Sequence, residues 1–337
     1  MKKLNLVNFM TPHLPSFPVR ISTLSLSRAA LLCALAVASY TTNALAESDN
    51  FDSGNDAGWT RYNPLSGFGV PAVFSFPSGG YRIQSTAPSP SPAQLGNARV
   101  GSYRNTSYSD FYITVDIVNW NDALPQAAGI LARIQTPALG TTTGYAFTWD
   151  RGTTATSGDM DISRITAERA TGASGQASAN DKYHFVPGRK YRLVFIGRGS
   201  LLEGRLYELP DLTTPKVIVT ANDSTYPSGV SGLLAYDNSA LANNLTDTTF
   251  DNFVNLDVEP PTVRISPPDG FGESTVSWPM SYFNGGFKLQ YSTVLPAVTW
   301  TTIADALYFP DPMDADRIQY VTPTNVDPTT TFRLRRP

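Results

Sequence analysis

The sequence predicts an all-β protein, a large antiparallel sandwich followed by a small one, and three observations carry that prediction. First, residues 110–150, DFYITVDIVNWNDALPQAAGILARIQTPALGTTTGYAFTWD, read as three successive strands. Phe111, Ile113, Val115 and Ile117 alternate with Tyr112, Thr114, Asp116 and Val118, the period of a strand with two different faces. Second, the chain carries 25 Gly and 26 Pro, which fall between the apolar runs and punctuate them. Third, the segment between Asn50 and Phe253 holds about a dozen short runs of this kind and no convincing helical period, the pattern of two sheets packed face to face.

Taken in order, Asn50-Phe51-Asp52 opens as a short strand, and SGNDAG (53–58) is a turn built from residues that tolerate tight backbone geometry. Trp59 and Tyr62 follow as packing anchors. Phe74 to Phe76, Tyr81 to Gln84 and Ala98 to Tyr103 are strands, with APSPSP (87–92) a loop between the last two. After the trio at 110–150, DMDISRITAER (159–169) is ambiguous in period, and 170–181 reads as a polar loop. Tyr191 to Ile196, the turn Gly197-Arg198-Gly199-Ser200 and Leu201 to Leu209 form a hairpin. Lys216 to Thr220, Gly232 to Tyr236 and Thr248 to Phe253 complete the set.

Four stretches carry a family resemblance: DNFDSGNDAGW, DFYITVDIVNW, the hairpin KYRLVFIGRGSLLEGRLYEL, and SGVSGLLAYDNS followed by TFDNF. In this order they resemble the concanavalin A-like (LamG-like) jelly-roll domains of bacterial secreted proteins. The resemblance covers residues 47–258 and implies that first and last strands pair, which places Phe51 near Phe250 or Phe253. Glu259-Pro260-Pro261 is then the linker, since paired prolines cannot join a sheet interior. Six further short strands in 262–337 resemble the small fibronectin III-like β-sandwiches that end many exported bacterial proteins. The basic end Arg333-Leu334-Arg335-Arg336 reads either as a docking element or as a solvated strand end, with the second favoured.

The first 46 residues read as a secretory signal peptide. Lys2, Lys3, Arg20 and Arg28 precede an apolar run from Ala29 to Ala38, and Ala44-Leu45-Ala46 fits the small-x-small cleavage pattern. The run is too short for a transmembrane span, which needs about 20 residues, so cleavage would leave no transmembrane anchor. The mature chain begins at Glu47, and a secreted, periplasmic or cell-surface location follows. Cys33 is the one cysteine and lies in the leader, so the mature chain has neither a disulfide nor a cysteine nucleophile. Four of the 25 basic residues also leave with the leader, and the remaining 21 face 28 acids, a net charge of −7. Nucleic acid and anionic membrane are thereby poor partners.

Fold does not choose among the lectins, binding modules, glucanases and structural domains that share this architecture. Glucanases of the resembled fold carry a strand motif Glu-x-Asp-x-x-Glu. Here Asp159-x-Asp161-x-x-Arg164 departs from it at two of three positions, which leaves Asp159, Asp161 and Glu168 as weak catalytic candidates. His184 is alone once His13 leaves with the signal, so a catalytic triad or histidine metal site would have to use it, and its neighbours Tyr183 and Phe185 favour a strand-edge packing or surface role instead. Sugar binding asks for less, an aromatic face with amides, acids or arginines beside it. Two clusters at strand ends qualify: Trp120 with Asn119, Asn121 and Asp122, and Trp149 with Asp150 and Arg151. For each the rival reading, slightly ahead, is that the indole plugs the end of the core. Trp59, Phe111 and Phe195 read as core. No cofactor is called for, apart from a structural calcium at Asp52 and Asp251, carried on strands that the resemblance makes neighbours. The sequence thus favours an exported non-catalytic protein that binds polysaccharide or cell-surface glycan, with a glycoside hydrolase or lyase and a structural or adhesion module as alternatives.

Overall fold

The computed structural model describes residues 46–85, 97–151, 158–178, 181–238, 245–266, 268–284, 286–293, 299–323 and 330–335. The leader, with Cys33 and the Ala44-Leu45 part of the cleavage pattern, and Arg336 lie outside the described residues. Contacts divide the chain between Glu259 and Pro260 into two units.

The N-terminal unit is a two-sheet antiparallel sandwich of jelly-roll type. Its nine-stranded sheet runs β11 (Ala177–Ser178), β14 (Val217–Asn222), β13 (Leu201–Glu208), β12 (Tyr191–Arg198), β6 (Phe111–Trp120), β16 (Thr246–Leu256), β4 (Tyr81–Ser85) and β3 (Ala72–Ser75), with β1 (Ala46–Asp49) also on β16. The seven-stranded sheet runs β10 (Arg169–Gly172), β9 (Asp159–Thr166), β8 (Thr143–Asp150), β7 (Gln126–Gln135), β15 (Gly229–Asp237), β5 (Arg99–Tyr108) and β2 (Trp59–Tyr62). First and last strands do pair, Asp49 opposite Phe253. Trp59 lies 4.8 Å from Phe253 and 5.6 Å from Phe51 between ring centroids, so it bridges the two residues that the resemblance brings near each other.

Alternation accounts for the core. Ile113, Val115 and Ile117 of β6 and Leu193 and Phe195 of β12 point inward, as do Ala128, Ile130 and Ala132 of β7 and Tyr145, Phe147 and Trp149 of β8. Each large apolar side chain buried in this way contributes roughly 1.5–3 kcal/mol. Two strand glycines make room for rings: a Cβ at Gly204 would stand 2.3 Å from the Phe147 ring, and one at Gly197 2.2 Å from Phe111.

Three local departures from the sequence expectation have physical causes. The opening strand lies at Ala46–Asp49 rather than at 50–52, because the Asp49 carboxylate accepts the Phe51 amide at 2.8 Å and turns the chain, with Phe51 at φ +53°. The ambiguous 159–169 stretch is strand β9 followed by a tight turn. The expected polar loop at 170–181 contains β10 and β11, edge strands whose small, polar and exposed residues give no apolar period.

The C-terminal unit has two small antiparallel sheets. One runs β17 (Arg264–Ile265), β18 (Thr275–Pro279), β22 (Asp314–Val321) and β21 (Phe309–Asp311), and the other runs β20 (Thr301–Thr302), β19 (Lys288–Ser292) and β23 (Thr331–Arg335). One helical turn, α1 (Met280–Asn284), follows β18. Val276, Trp278, Leu289, Ile303, Tyr308, Ile318 and Phe332 form its core. The Tyr308 hydroxyl donates to the Ile303 carbonyl at 2.7 Å, which satisfies a buried polar group.

Candidate functional site

The two tryptophan clusters meet at one end of the sandwich, and both indoles are inside it. Trp149 is fully buried and Trp120 is 8 % exposed, with ring centroids 5.6 Å apart. Phe185 stacks on Trp149 at 4.2 Å and on Tyr191 at 3.9 Å, so the Trp149 ring face is already taken. Of the two readings the sequence offered for these rings, this is the core plug and not the ligand-stacking face: large rings return more free energy in the core than at a strand end. The polar neighbours serve the fold. Asp122 accepts from Trp120 Nε1 at 3.3 Å and pairs with Arg151 at 3.5 Å, Asn121 holds the turn by accepting the Ala123 amide at 3.0 Å, and Asp150 accepts from Asn238.

The calcium candidates do come close enough to feel each other. Burial first, and then the charges of Asp116 and Asp52, push the Asp251 carboxyl above its ordinary range. Calcium takes about six to eight oxygen ligands, and this donor set does not fit it. Asp116 is held by Arg192 at 2.6 and 2.8 Å and by Asn252 at 3.0 Å, and Asp52 accepts from Asn50 at 2.5 Å. Among the described residues no group of three or more His, Cys, Asp or Glu is placed to hold a metal.

The catalytic candidates are not gathered into a pair of working carboxyls. Asp159 and Asp161 share the outward face of β9, alternating with buried Met160 and Ile162. Asp159 is paired with Lys182 at 2.6 Å, and Asp161 accepts from Gln176 at 2.9 Å. Burial, then Asp159 and Asp181, raise the Asp161 carboxyl above the usual range. Glu168 lies beyond the far end of β9, in its turn.

That turn builds the feature the sequence did not disclose. Thr166 pairs with Arg169, so Ala167 and Glu168 form a two-residue hairpin loop, with φ +49° and +66°. Left-handed backbone costs a non-glycine residue roughly 1–2 kcal/mol, and the Glu168 carboxylate offsets it. Its side chain is 5 % exposed and accepts from Arg99 Nε at 3.0 Å, Arg99 Nη2 at 2.5 Å, the Gly140 amide at 2.6 Å and the Tyr62 hydroxyl. Its own amide donates to the Thr142 carbonyl at 2.9 Å. Burial pulls its pKa up, but the Arg99, Tyr62 and Gly140 hydrogen bonds win, and the carboxyl sits below its ordinary range. Burial and the adjacent Glu168 push the Tyr62 phenol up, which keeps its proton in the bond.

The clasp walls a groove of about 670 Å³ on the outward face of the seven-stranded sheet. Leu131, Ala146, Ile165 and Leu234 form its floor, a second apolar cluster on the side of the sheet away from the main core. Tyr236, Thr148, Ser163, Asn97 and Asn238 bring hydroxyls and amides to it. Burial raises the Tyr236 phenol, and the carboxylates of Asp150, Asp161 and Asp159 raise it further, so it stays protonated and able to donate. Arg99, Arg169, Glu168 and Asp237 also belong to the lining, and the neutral donors and acceptors over the apolar floor suit a polyhydroxylated ligand with apolar C–H faces. One sequence signal did point here: β7 is apolar on both faces, AAGILARI, which requires cover on the outside of the sheet as well. A smaller opening, about 390 Å³, lies between the two sheets of the C-terminal unit, with no charged residue in its lining.

No protein-family model matches the chain, and no curated protein matches it. Solved structures similar to it include the carbohydrate-binding module CBM66 from Bacillus subtilis, at 17 % identity and TM-score 0.40, over 60 % of this chain and 96 % of that one. Lectin II from Ulex europaeus aligns at 11 % identity and TM-score 0.40, over 64 % of this chain and 99 % of that one. A protein of unknown function with a galectin-like fold from Bacillus subtilis aligns at 12 % identity and TM-score 0.41, over 63 % and 94 %. At these identities and scores the likeness says nothing about what this chain binds.

Proposed function

We propose that this is an exported, non-catalytic glycan-binding protein, released or held at the cell surface, whose sugar lies in the groove on the outward face of the seven-stranded sheet. One observation carries the reading: neutral hydrogen-bonding groups, Tyr236, Thr148, Ser163 and Asn238, stand over the apolar floor of Leu131, Ala146, Ile165 and Leu234. Sugar hydroxyls and C–H faces ask for that combination. A non-catalytic role is supported by the acids: Asp159 and Asp161 are absent from the groove lining, and of the two that line it Glu168 is occupied by its clasp and Asp237 is buried. The leader pattern supports export, and the four-plus-three strand arrangement of the C-terminal unit supports a fibronectin III-like accessory module.

A few hydrogen bonds at about 0.5–1.5 kcal/mol each, with a small apolar patch, give a dissociation constant between about 1 mM and 1 μM. The test is a glycan array together with pull-down on insoluble polysaccharides, using wild type and Tyr236→Ala. Binding that falls about tenfold in the variant supports the groove. No binding to any glycan overturns the reading in favour of a structural or adhesion module, and release of soluble product overturns it in favour of a hydrolase or lyase.

A further inference from the structure

In the C-terminal unit, the outward face of the three-stranded sheet collects cations without matching acids. On β23, Phe332 and Leu334 face the core, and Arg333 and Arg335 face out. On β19, Leu289 is buried and Lys288 and Gln290 face out, Lys288 directly opposite Arg335 and Gln290 opposite Arg333. Like charges facing each other across a strand pair are destabilising. Lys288 is relieved by Asp305, but among the described residues neither Arg333 nor Arg335 has a carboxylate partner. Other acids of this unit, Asp311, Asp314 and Asp316, belong to β21 and β22 of the other sheet.

Arg333 is also held in place. Its guanidinium lies 4.0 Å from the Trp300 ring centroid, and its Nε donates to Gln290 Oε1 at 2.8 Å. Gln290 is fixed in turn by donating Nε2–H to Thr302 at 2.8 Å. This leaves the terminal N–H groups of Arg333 as a rigid fork, the geometry that takes carboxylate, sulfate or phosphate oxygens two at a time. Arg335 repeats the charge two residues on, about 7 Å along the strand. Burial first, and then the neighbouring charge of Arg335, lower the Arg333 pKa.

We propose that this face, Arg333 and Arg335 with Trp300 and Gln290 behind the first of them, is a binding site for an acidic polysaccharide. It is separate from the groove and does not rest on it. Two guanidiniums at a fixed spacing favour a repeating anion over a single one. A mature chain of net charge −7 is repelled by polyanions as a whole, so retention on one requires a local site of this kind.

The experiment passes the purified full chain over polygalacturonate, heparin and neutral dextran, and floats it with phosphatidylglycerol vesicles. Expected are retention on both acidic polymers but not on dextran, elution by salt, and at least a fivefold loss of affinity in Arg335→Gln, an exposed position remote from the core. Arg333→Gln with Arg335→Gln abolishes retention. The proposal is overturned if wild type is not retained at low ionic strength or if Arg335→Gln and the double variant are retained like wild type. Equal or tighter binding to the vesicles also overturns it and makes a membrane surface the partner.

Discussion

Glu168 and Arg99 meet through two hydrogen bonds although three strands, β8, β7 and β15, separate the hairpin of the first from the strand of the second. The contact folds the β9–β10 turn over the outward face and ties it to β5 and, through Tyr62, to the opposite edge strand β2. Removing one partner of a buried pair leaves the other charge uncompensated. Arg99→Met is therefore expected to lower stability by about 3 kcal/mol, read from urea denaturation, and to weaken glycan binding together with it. A wild-type-like midpoint for Arg99→Met would remove the clasp from the account.

Asp223 provides a second buried acid with a clear sign. It accepts from Tyr145 Oη at 2.8 Å, the Thr225 amide at 2.9 Å, the Ser174 amide at 3.0 Å and Arg164 Nη1 at 3.1 Å. Burial works against the charge, but these donors hold its pKa well below the ordinary 3.8. A depressed folded pKa means stability that is complete above the unfolded value and drains away as pH falls through the folded one. Glu168 follows the same rule from its ordinary 4.5. Acid unfolding of wild type is thus expected to set in below about pH 4.5, with Asp223→Ala less stable by about 3 kcal/mol at pH 7 and flatter in its pH dependence. Circular dichroism at a series of pH values checks both.

Asp161 has the opposite sign. Its raised pKa stabilises the fold only where the carboxyl is protonated, fully below 3.8, and that contribution is lost as pH rises through the raised value. Asp161→Asn should therefore be more stable than wild type at pH 7, on the order of 0.5 kcal/mol, with the difference vanishing near pH 3. A destabilised Asp161→Asn at pH 7 contradicts the burial and repulsion assigned to this site.

Trp149→Ala is expected to cost about 3–5 kcal/mol, the price of emptying a large core position. Trp149→Phe, which keeps a ring against Phe185, should leave glycan binding within twofold of wild type. If Trp149→Phe folds normally yet binds no glycan, the indole has a direct role that its burial denies.

Gly204→Ala tests the packing between the sheets. Its methyl would come within 2.3 Å of the Phe147 ring, so a loss of about 1–3 kcal/mol is expected, visible as a lowered Tm. Pairing Gly204→Ala with Phe147→Leu should recover part of that loss, since the smaller side chain clears the space.

The sandwich was legible because its signals are local and repeated. Ile113, Val115 and Ile117 declare an inward face within one strand, and Pro260-Pro261 declares a boundary in two residues. The groove was not legible in the same way. Tyr62, Arg99, Gly140 and Glu168 are scattered over 107 positions, and no spacing rule connects them. Only the curl of the sheet and a two-residue left-handed turn bring them together. The tryptophans left two readings open for a related reason: strand ends bordered by Asn and Asp look the same from the sequence whether the ring points in or out. What decided between the two readings was Phe185, a residue in a poorly patterned segment, which filled the space against Trp149.

Secreted domains commonly hold distant segments together with disulfides, and this chain has one cysteine and therefore none within the molecule. Glu168 does the equivalent job by charge, stapling Tyr62 to a turn 106 residues away. A staple of that kind is indifferent to redox conditions and needs no oxidising catalyst to form, so dithiothreitol should leave the fold untouched. Its weakness is the proton, which makes the acidity of the surroundings, rather than their oxidising power, the condition that decides where this protein stays closed.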